Sequence, residues 1–97
     1  MAGPTWTFLT NHARVLLCLA EEPTLRLREV AERIGITERG AQRIVTDLEE
    51  AGIVTRSREG RRNHYAINPQ MPLRHPHEAD KTVSDLLTLA TLHGPFE

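Results

Sequence analysis

The chain has 97 residues, 39% of them hydrophobic and 26% charged, with a formal net charge of −1. That length holds one core, and the composition fits a globular fold over 1–97 and excludes a chain disordered throughout. The longest apolar run, Val15–Ala20, is too short to span a bilayer. The N-terminal residues show no secretory pattern, and a lone Cys18 leaves no intrachain disulfide, so a cytoplasmic setting is expected.

A first helix is predicted over 5–22, its apolar period opening at Trp6 and closing before Pro23. Phe8, Leu9, Ala13, Val15, Leu16, Leu17, Leu19 and Ala20 cover an arc of about 200°, wider than the stripe of about 100° that one core face needs. That width predicts two partners, the chain's own core and a second subunit. Thr24–Leu27 reads as a short extended segment able to pair with a later hairpin. A second helix follows over Arg28–Ile34, with Val30, Ala31 and Ile34 inward and Gly35 as its C-terminal stop.

Ile36-Thr37 forms a turn in which Thr37 can cap the next helix, Glu38–Ala51. Ala41, Ile44, Val45, Leu48 and Ala51 share one side of that helix, and Arg39, Gln42, Arg43 and Thr46 share the other. Glu38 suits the positive end of the helix dipole, and Gly52 ends the element. Ile53–Arg58 and His64–Ile67 read as strands around Glu59-Gly60-Arg61-Arg62-Asn63, giving a hairpin over 53–67. Asn68–Pro76, with three prolines, reads as a linker. A final helix is predicted over 77–93, with Ala79, Val83, Leu86, Leu87, Leu89 and Ala90 on one face and Gly94-Pro95 as its stop. Helix, turn, helix over 28–51, then an arginine-tipped hairpin, is the order of a winged helix-turn-helix. The expected fold is therefore α+β, mostly α: a three-helix core, a two- to three-stranded wing and a C-terminal helix.

Charge is patterned along this order. Between Arg39 and Arg62 lie six arginines, while the acids Asp47, Glu49 and Glu50 fall late on their helix. The low net charge predicts modest non-specific affinity for nucleic acid, a term set by phosphate contacts.

Three stretches carry a family resemblance: Ala31-Glu32-Arg33-Ile34-Gly35-Ile36-Thr37, Leu48-Glu49-Glu50-Ala51-Gly52-Ile53-Val54 and Arg58-Glu59-Gly60-Arg61-Arg62-Asn63-His64-Tyr65. Together they resemble the bacterial ArsR/MarR-like winged-helix regulators. The wing is nearer the ArsR side, because the aspartate-arginine signature usual in MarR wings is missing. The resemblance covers residues 25–67 well and the flanking helices by pattern. It implies a dimeric repressor whose outer helices make the dimer. The paired cysteines of the metal-sensing members have no counterpart on Arg28–Ile34, so no thiolate metal sensor of that type is expected. The chain is also shorter than most MarR-type members, so their ligand pocket is not expected here, and any small-molecule effector is left open.

A helix lying in the major groove reads base edges from its N-terminal half. Arg39 and Arg43 suit guanine, Gln42 suits adenine, and the Thr46 methyl suits thymine. Thr37 at the helix start completes that candidate face. Arg58, Arg61, Arg62, Asn63 and His64 on the wing are candidates for phosphates or the minor groove. Tyr65 reads as a packing residue. For the dimer interface, Trp6, Phe8, Leu9, Leu16, Val83, Leu86, Leu87 and Ala90 are the candidates. His12 falls within the apolar arc, where a hydrogen-bonded core or interface histidine is expected. Cys18 reads as a buried thiol, with Arg14 the one nearby cation that would favour redox sensing. His75-Pro76-His77-Glu78 lacks a metal-ligand framework, and no metal or other cofactor is expected. No nucleophile, glycine-rich phosphate loop or carboxylate pair suggests an enzyme. The expected partner is double-stranded DNA bound by a homodimer, with no membrane role. The alternative is a winged helix used as a protein-interaction module, since fold alone does not fix function.

Overall fold

Thr10, not Trp6, starts the first helix. Its hydroxyl accepts the Ala13 N–H at 3.2 Å, satisfying an amide that no earlier carbonyl can reach. Helix α1 therefore runs Asn11–Glu21 in the computed structural model, which describes residues 3–91. The predicted start at 5–6 is corrected accordingly. The residues before the cap form a non-helical arm, held by Arg14, whose guanidinium donates to Asn11 Oδ1 at 2.8 Å and Thr7 Oγ1 at 2.6 Å. Trp6 and Phe8 meet edge to face on this arm, with ring centroids 4.9 Å apart.

Helix α2 spans Leu27–Ile34 and stops at Gly35, whose φ of 78° is the left-handed cap conformation that favours glycine. Two residues later Thr37 caps α3, Glu38–Glu50, by accepting the Gly40 N–H at 2.9 Å. Ala41, Ile44, Val45 and Leu48 of α3 are buried. Ile44, Val45 and Leu48 form the centre of the core with Val15, Leu16 and Leu19 of α1 and Val30 of α2.

The wing is one antiparallel pair, β1 (Val54–Glu59) and β2 (Arg62–Ile67), paired from Val54 with Ile67 to Glu59 with Arg62. Its two-residue tip, Gly60-Arg61, has positive φ at Gly60 and at no non-glycine residue, the pattern of a type II′ turn. Both strands therefore reach closer to the tip than predicted, and Arg62 and Asn63 lie on β2 with His64 instead of in the loop. Thr24–Leu27 adds no third strand. Leu25 N–H closes a turn onto Glu22 O at 3.1 Å, and the loop touches β2 through one backbone bond, Tyr65 N–H to Pro23 O at 2.9 Å. Of the two- to three-stranded expectation, the two-stranded form is observed.

The linker is more ordered than its prolines suggest. Pro72 bridges Thr82, Leu73 N–H donates to Lys81 O at 2.9 Å, and Val83 N–H donates to Met71 O at 2.8 Å. After a 3-10 turn at Pro76–Glu78, α4 runs Val83–Thr91. Its start is moved from 77 to 83 by a reciprocal cap. Thr82 N–H donates to Asp85 Oδ2 at 2.9 Å, and Asp85 N–H donates back to Thr82 Oγ1 at 3.3 Å. The expected end at His93 and stop at Gly94-Pro95 lie outside the described residues.

Helix α1 packs on α2, α3 and β2 and also on α4. Part of its wide apolar arc is thus covered by its own chain. Leu16 and Val83, expected at a subunit interface, are 3% and 1% exposed within this one chain. They belong to the core, which corrects that assignment.

Leu19 is fully buried where α1 meets the core. Leu19→Ala should lower unfolding stability by about 2–5 kcal/mol, measured by urea denaturation. A loss below about 1 kcal/mol would show that the site repacks or that this core is misassigned.

Candidate nucleic-acid interface

The face of α3 opposite its core side is polar because its residues recur at helical spacing. Arg39, Gln42, Arg43 and Thr46 fall within an arc of about 100° at 3.6 residues per turn. Arg39, Gln42 and Arg43 are exposed and Thr46 is half-buried. The Thr46 hydroxyl donates to Gln42 O at 3.0 Å and accepts from Gln42 Nε2 at 3.3 Å. That bonding turns the hydroxyl back along the helix and steadies the Gln42 amide. Neither Arg39 nor Arg43 has a hydrogen-bond or ion partner through its guanidinium among the described residues, so both are free to reach a ligand. Thr37 is occupied differently from its neighbours, since its side chain is the α3 cap.

Strand alternation divides the wing candidates between two faces. Paired residues share a face, so Arg56 with Tyr65 and Arg58 with Asn63 lie with Val54. Arg62 lies on the other face, with Glu59 and His64. His64 Nε2 is 3.9 Å from Glu59 Oε2 there. Arg62 Nη1 donates to Thr24 O at 3.2 Å, so part of that guanidinium is engaged with the α1–α2 loop. Arg58 and Arg61 are exposed and have no side-chain partner among the described residues. The structure thus places Arg58 and Asn63 on the wing face that continues toward α3. Arg61 stands at the tip, and Arg62 and His64 lie behind it.

Two contacts that the sequence left unassigned fix the wing relative to α3. Arg56 Nε lies 3.4 Å from Glu49 Oε2, and Ile53 N–H donates to Leu48 O at 2.9 Å. The signal for the first was the shared parity of Arg56 and Val54 on β1, which turns Arg56 toward the end of α3.

His12 is not a core histidine. About half of its side chain is exposed, and Nε2 lies 2.9 Å from Asp47 Oδ2 on α3. The apolar arc misled here because His12 sits at its margin, where an acid on the neighbouring helix supplies a partner. Cys18 is buried, as expected, and burial pushes its thiol pKa above the ordinary value, opposed by Arg33. The cation acting on it is Arg33, held 2.7 Å from Glu22 Oε1, whereas Arg14 is turned to the arm. His75 Nδ1 accepts the His77 N–H at 3.1 Å. Among the described residues no group of three His, Cys, Asp or Glu side chains could hold a metal ion, and no helix is long and apolar enough to cross a membrane.

A cleft of about 610 Å³ opens on the side of α1 and α3 that faces the C-terminal segment. Leu9 and Leu16 line it, with Leu48 and Ala51 of α3 and Leu73 and Leu86 of the C-terminal segment. Its rim carries the His12–Asp47 pair. Of the remaining interface candidates, Trp6 and Phe8 are 66% and 89% exposed, Ala90 is exposed, and Leu9, Leu86 and Leu87 are half-buried.

Comparison with known proteins adds three findings. Residues 5–63 match the sequence profile of the MarR family. No curated protein matches the chain. Among solved structures, it is similar to a MarR family protein of Mycobacterium tuberculosis in complex with salicylic acid. The TM-score is 0.53 at 24% identity, covering 91% of this chain and 69% of that one.

Burial of Cys18 sets its reactivity. Modification by a disulfide reagent at neutral pH should be at least about ten-fold slower in the folded protein than in urea, because the thiolate is the nucleophile. The folded-state rate should rise with pH above the ordinary thiol range. Equal rates in both states would show that the thiol is accessible.

Proposed function

Because this chain belongs to the MarR family of DNA-binding transcription regulators, we propose that it acts as a homodimeric, sequence-specific repressor. The observation that carries this reading is a contrast among its arginines. Arg14, Arg33, Arg56 and Arg62 are engaged by their own chain, whereas Arg39 and Arg43 on α3 and Arg58 and Arg61 on the wing, like Arg26, Arg28 and Arg74 elsewhere, are exposed and have no ion partner among the described residues. Free guanidiniums on a groove-sized helix and its adjacent hairpin suit base edges and phosphates.

In this reading α3 enters the major groove. Arg39, Gln42 and Arg43 contact base edges, and Thr46 offers its methyl group. Thr37 holds the start of α3 and leaves its backbone near a phosphate. Arg58, Arg61 and Asn63 meet the backbone or the minor groove beside it, with Arg62 and His64 on the other strand face of the wing. The dimer uses the exposed arm residues Trp6 and Phe8 with Leu9, Leu86, Leu87 and Ala90. Two protomers, each 38 × 36 × 29 Å, are large enough to set two α3 helices about 34 Å apart, one turn of DNA. A pseudo-palindromic operator follows from that symmetry.

An effector could reach α3 through the cleft that Leu48 and Ala51 line. Salicylic acid, found with the structural neighbour, is the first compound to test. A rise in Tm with millimolar salicylate would support an aromatic-acid effector here, and no rise would remove that class.

The test of DNA binding is a mobility shift with genomic DNA from the protein's own locus at two salt concentrations. Selective, salt-sensitive retardation of an upstream fragment is expected. Arg43→Ala should weaken that site by about 1–3 kcal/mol while sparing unrelated DNA. Arg61→Ala should weaken all sequences and lower the salt slope by about 0.9. No shift at low salt from folded, dimeric protein would favour a protein-interaction module instead.

A further inference from the structure

A second, smaller cleft lies on the wing side of the molecule, at the junction of the α1–α2 loop, the start of α3 and the wing. Its volume is about 250 Å³, and Arg26, Arg61, Arg62, Asn63, Thr24 and Glu38 are among the residues lining it. Three arginines from two separate parts of the chain thus line one small concavity, with Glu38 as its single acidic residue. Formal charge around the cleft is +2 when Glu38 is ionised. A neutral or cationic ligand gains nothing from such a set, whereas an oxyanion accepts hydrogen bonds from each guanidinium.

The cleft is built, not incidental. Tyr65 N–H to Pro23 O at 2.9 Å and Arg62 Nη1 to Thr24 O at 3.2 Å fasten the wing to the α1–α2 loop beside it. The second bond occupies one nitrogen of Arg62 and leaves its other donors. Arg26 N–H is held by Glu29 Oε1 at 3.0 Å, which fixes the backbone from which its side chain projects. The Arg26 guanidinium is exposed and has no ion partner among the described residues.

We infer that this cleft seats a single phosphate group, and that Arg26 contacts DNA from the α1–α2 loop together with Arg61 and Arg62 of the wing. The inference deepens the DNA-binding reading and rests on it for the source of the phosphate. It gives Arg62 a defined place: the Thr24 carbonyl orients it toward the seat instead of removing it from binding. A phosphate held here is contacted from outside the groove-facing helix, so the seat contributes affinity and register and carries no sequence preference.

The test compares the salt dependence of DNA binding for wild type, Arg26→Ala and Arg26→Gln, with Lys81→Ala as a remote cation control. Both Arg26 variants should lower the slope of log K against log salt by about 0.9, as expected for one lost phosphate contact on B-DNA. Affinity should fall by the same factor on operator and unrelated DNA, and Lys81→Ala should match wild type. An unchanged slope in both Arg26 variants, with wild-type DNA binding intact, would overturn the inference. A separate arm adds inorganic phosphate at constant ionic strength and follows the arginine Nε–H signals by NMR. If wild type retards no DNA, the repressor reading fails. The anion seat then survives only if phosphate shifts Arg26, Arg61 and Arg62 together, and it is overturned if those signals stay still.

Discussion

The packing of α3 against α1 and α2 is the constraint on which the rest of this structure depends. Ala41, Ile44, Val45 and Leu48 are all buried, the last three in one cluster with Val15, Leu16, Leu19 and Val30. Burying that stripe at helical spacing leaves Arg39, Gln42 and Arg43 pointing away from the core. The polar face is therefore a geometric consequence of the apolar one. Any rotation of α3 about its axis would bury an arginine and expose a valine, and both changes oppose folding.

The wing inherits its position from the same helix. Leu48 O receives the Ile53 amide one turn beyond the end of α3, and Glu49 meets Arg56 on β1. Tyr65, almost fully buried, carries β2 down onto the core while its amide is held by Pro23. Helix α3 and the wing are consequently parts of one body. A ligand touching both need not order them first, which limits the conformational entropy lost on binding.

Much of this was legible in the sequence where local chemistry and periodicity agreed. Gly35, Thr37 and Gly52 bracket α3 with a stop, a cap and a second stop, so its bounds were readable to within a residue. The helix starts of α1 and α4 were not, because apolar spacing continues through Trp6–Leu9 and across Ala79–Val83. At both places a short polar pair decides: Thr10 with the Ala13 amide, and Thr82 with Asp85. The distribution of α1's apolar arc was also hidden. A leucine buried within its own chain reads no differently from one that meets a second subunit, as Leu16 shows. For the site, residue type showed which side chains could bind DNA but not which were already engaged. Arg62 reaches a carbonyl 38 residues away, and His12 finds Asp47 at a separation of 35. Contacts of that range leave no local trace.

A net charge of −1 is low for a nucleic-acid binder, and the arrangement of charge explains how the two fit. Acids occupy partners at the margins, Glu22 with Arg33, Glu49 with Arg56, and Asp80 with Lys81. Among the described residues Arg39 and Arg43 on α3 and Arg58 and Arg61 on the wing keep no ion partner, beside the α3 acids Glu38 and Glu50. The most direct test of this account is a backbone amide NMR map of the protein on adding a duplex from the region upstream of its gene. Shifts concentrated at residues 37–46 and 58–64 are predicted. Shifts confined to the N-terminal arm and α4, with α3 and the wing unmoved, would contradict it.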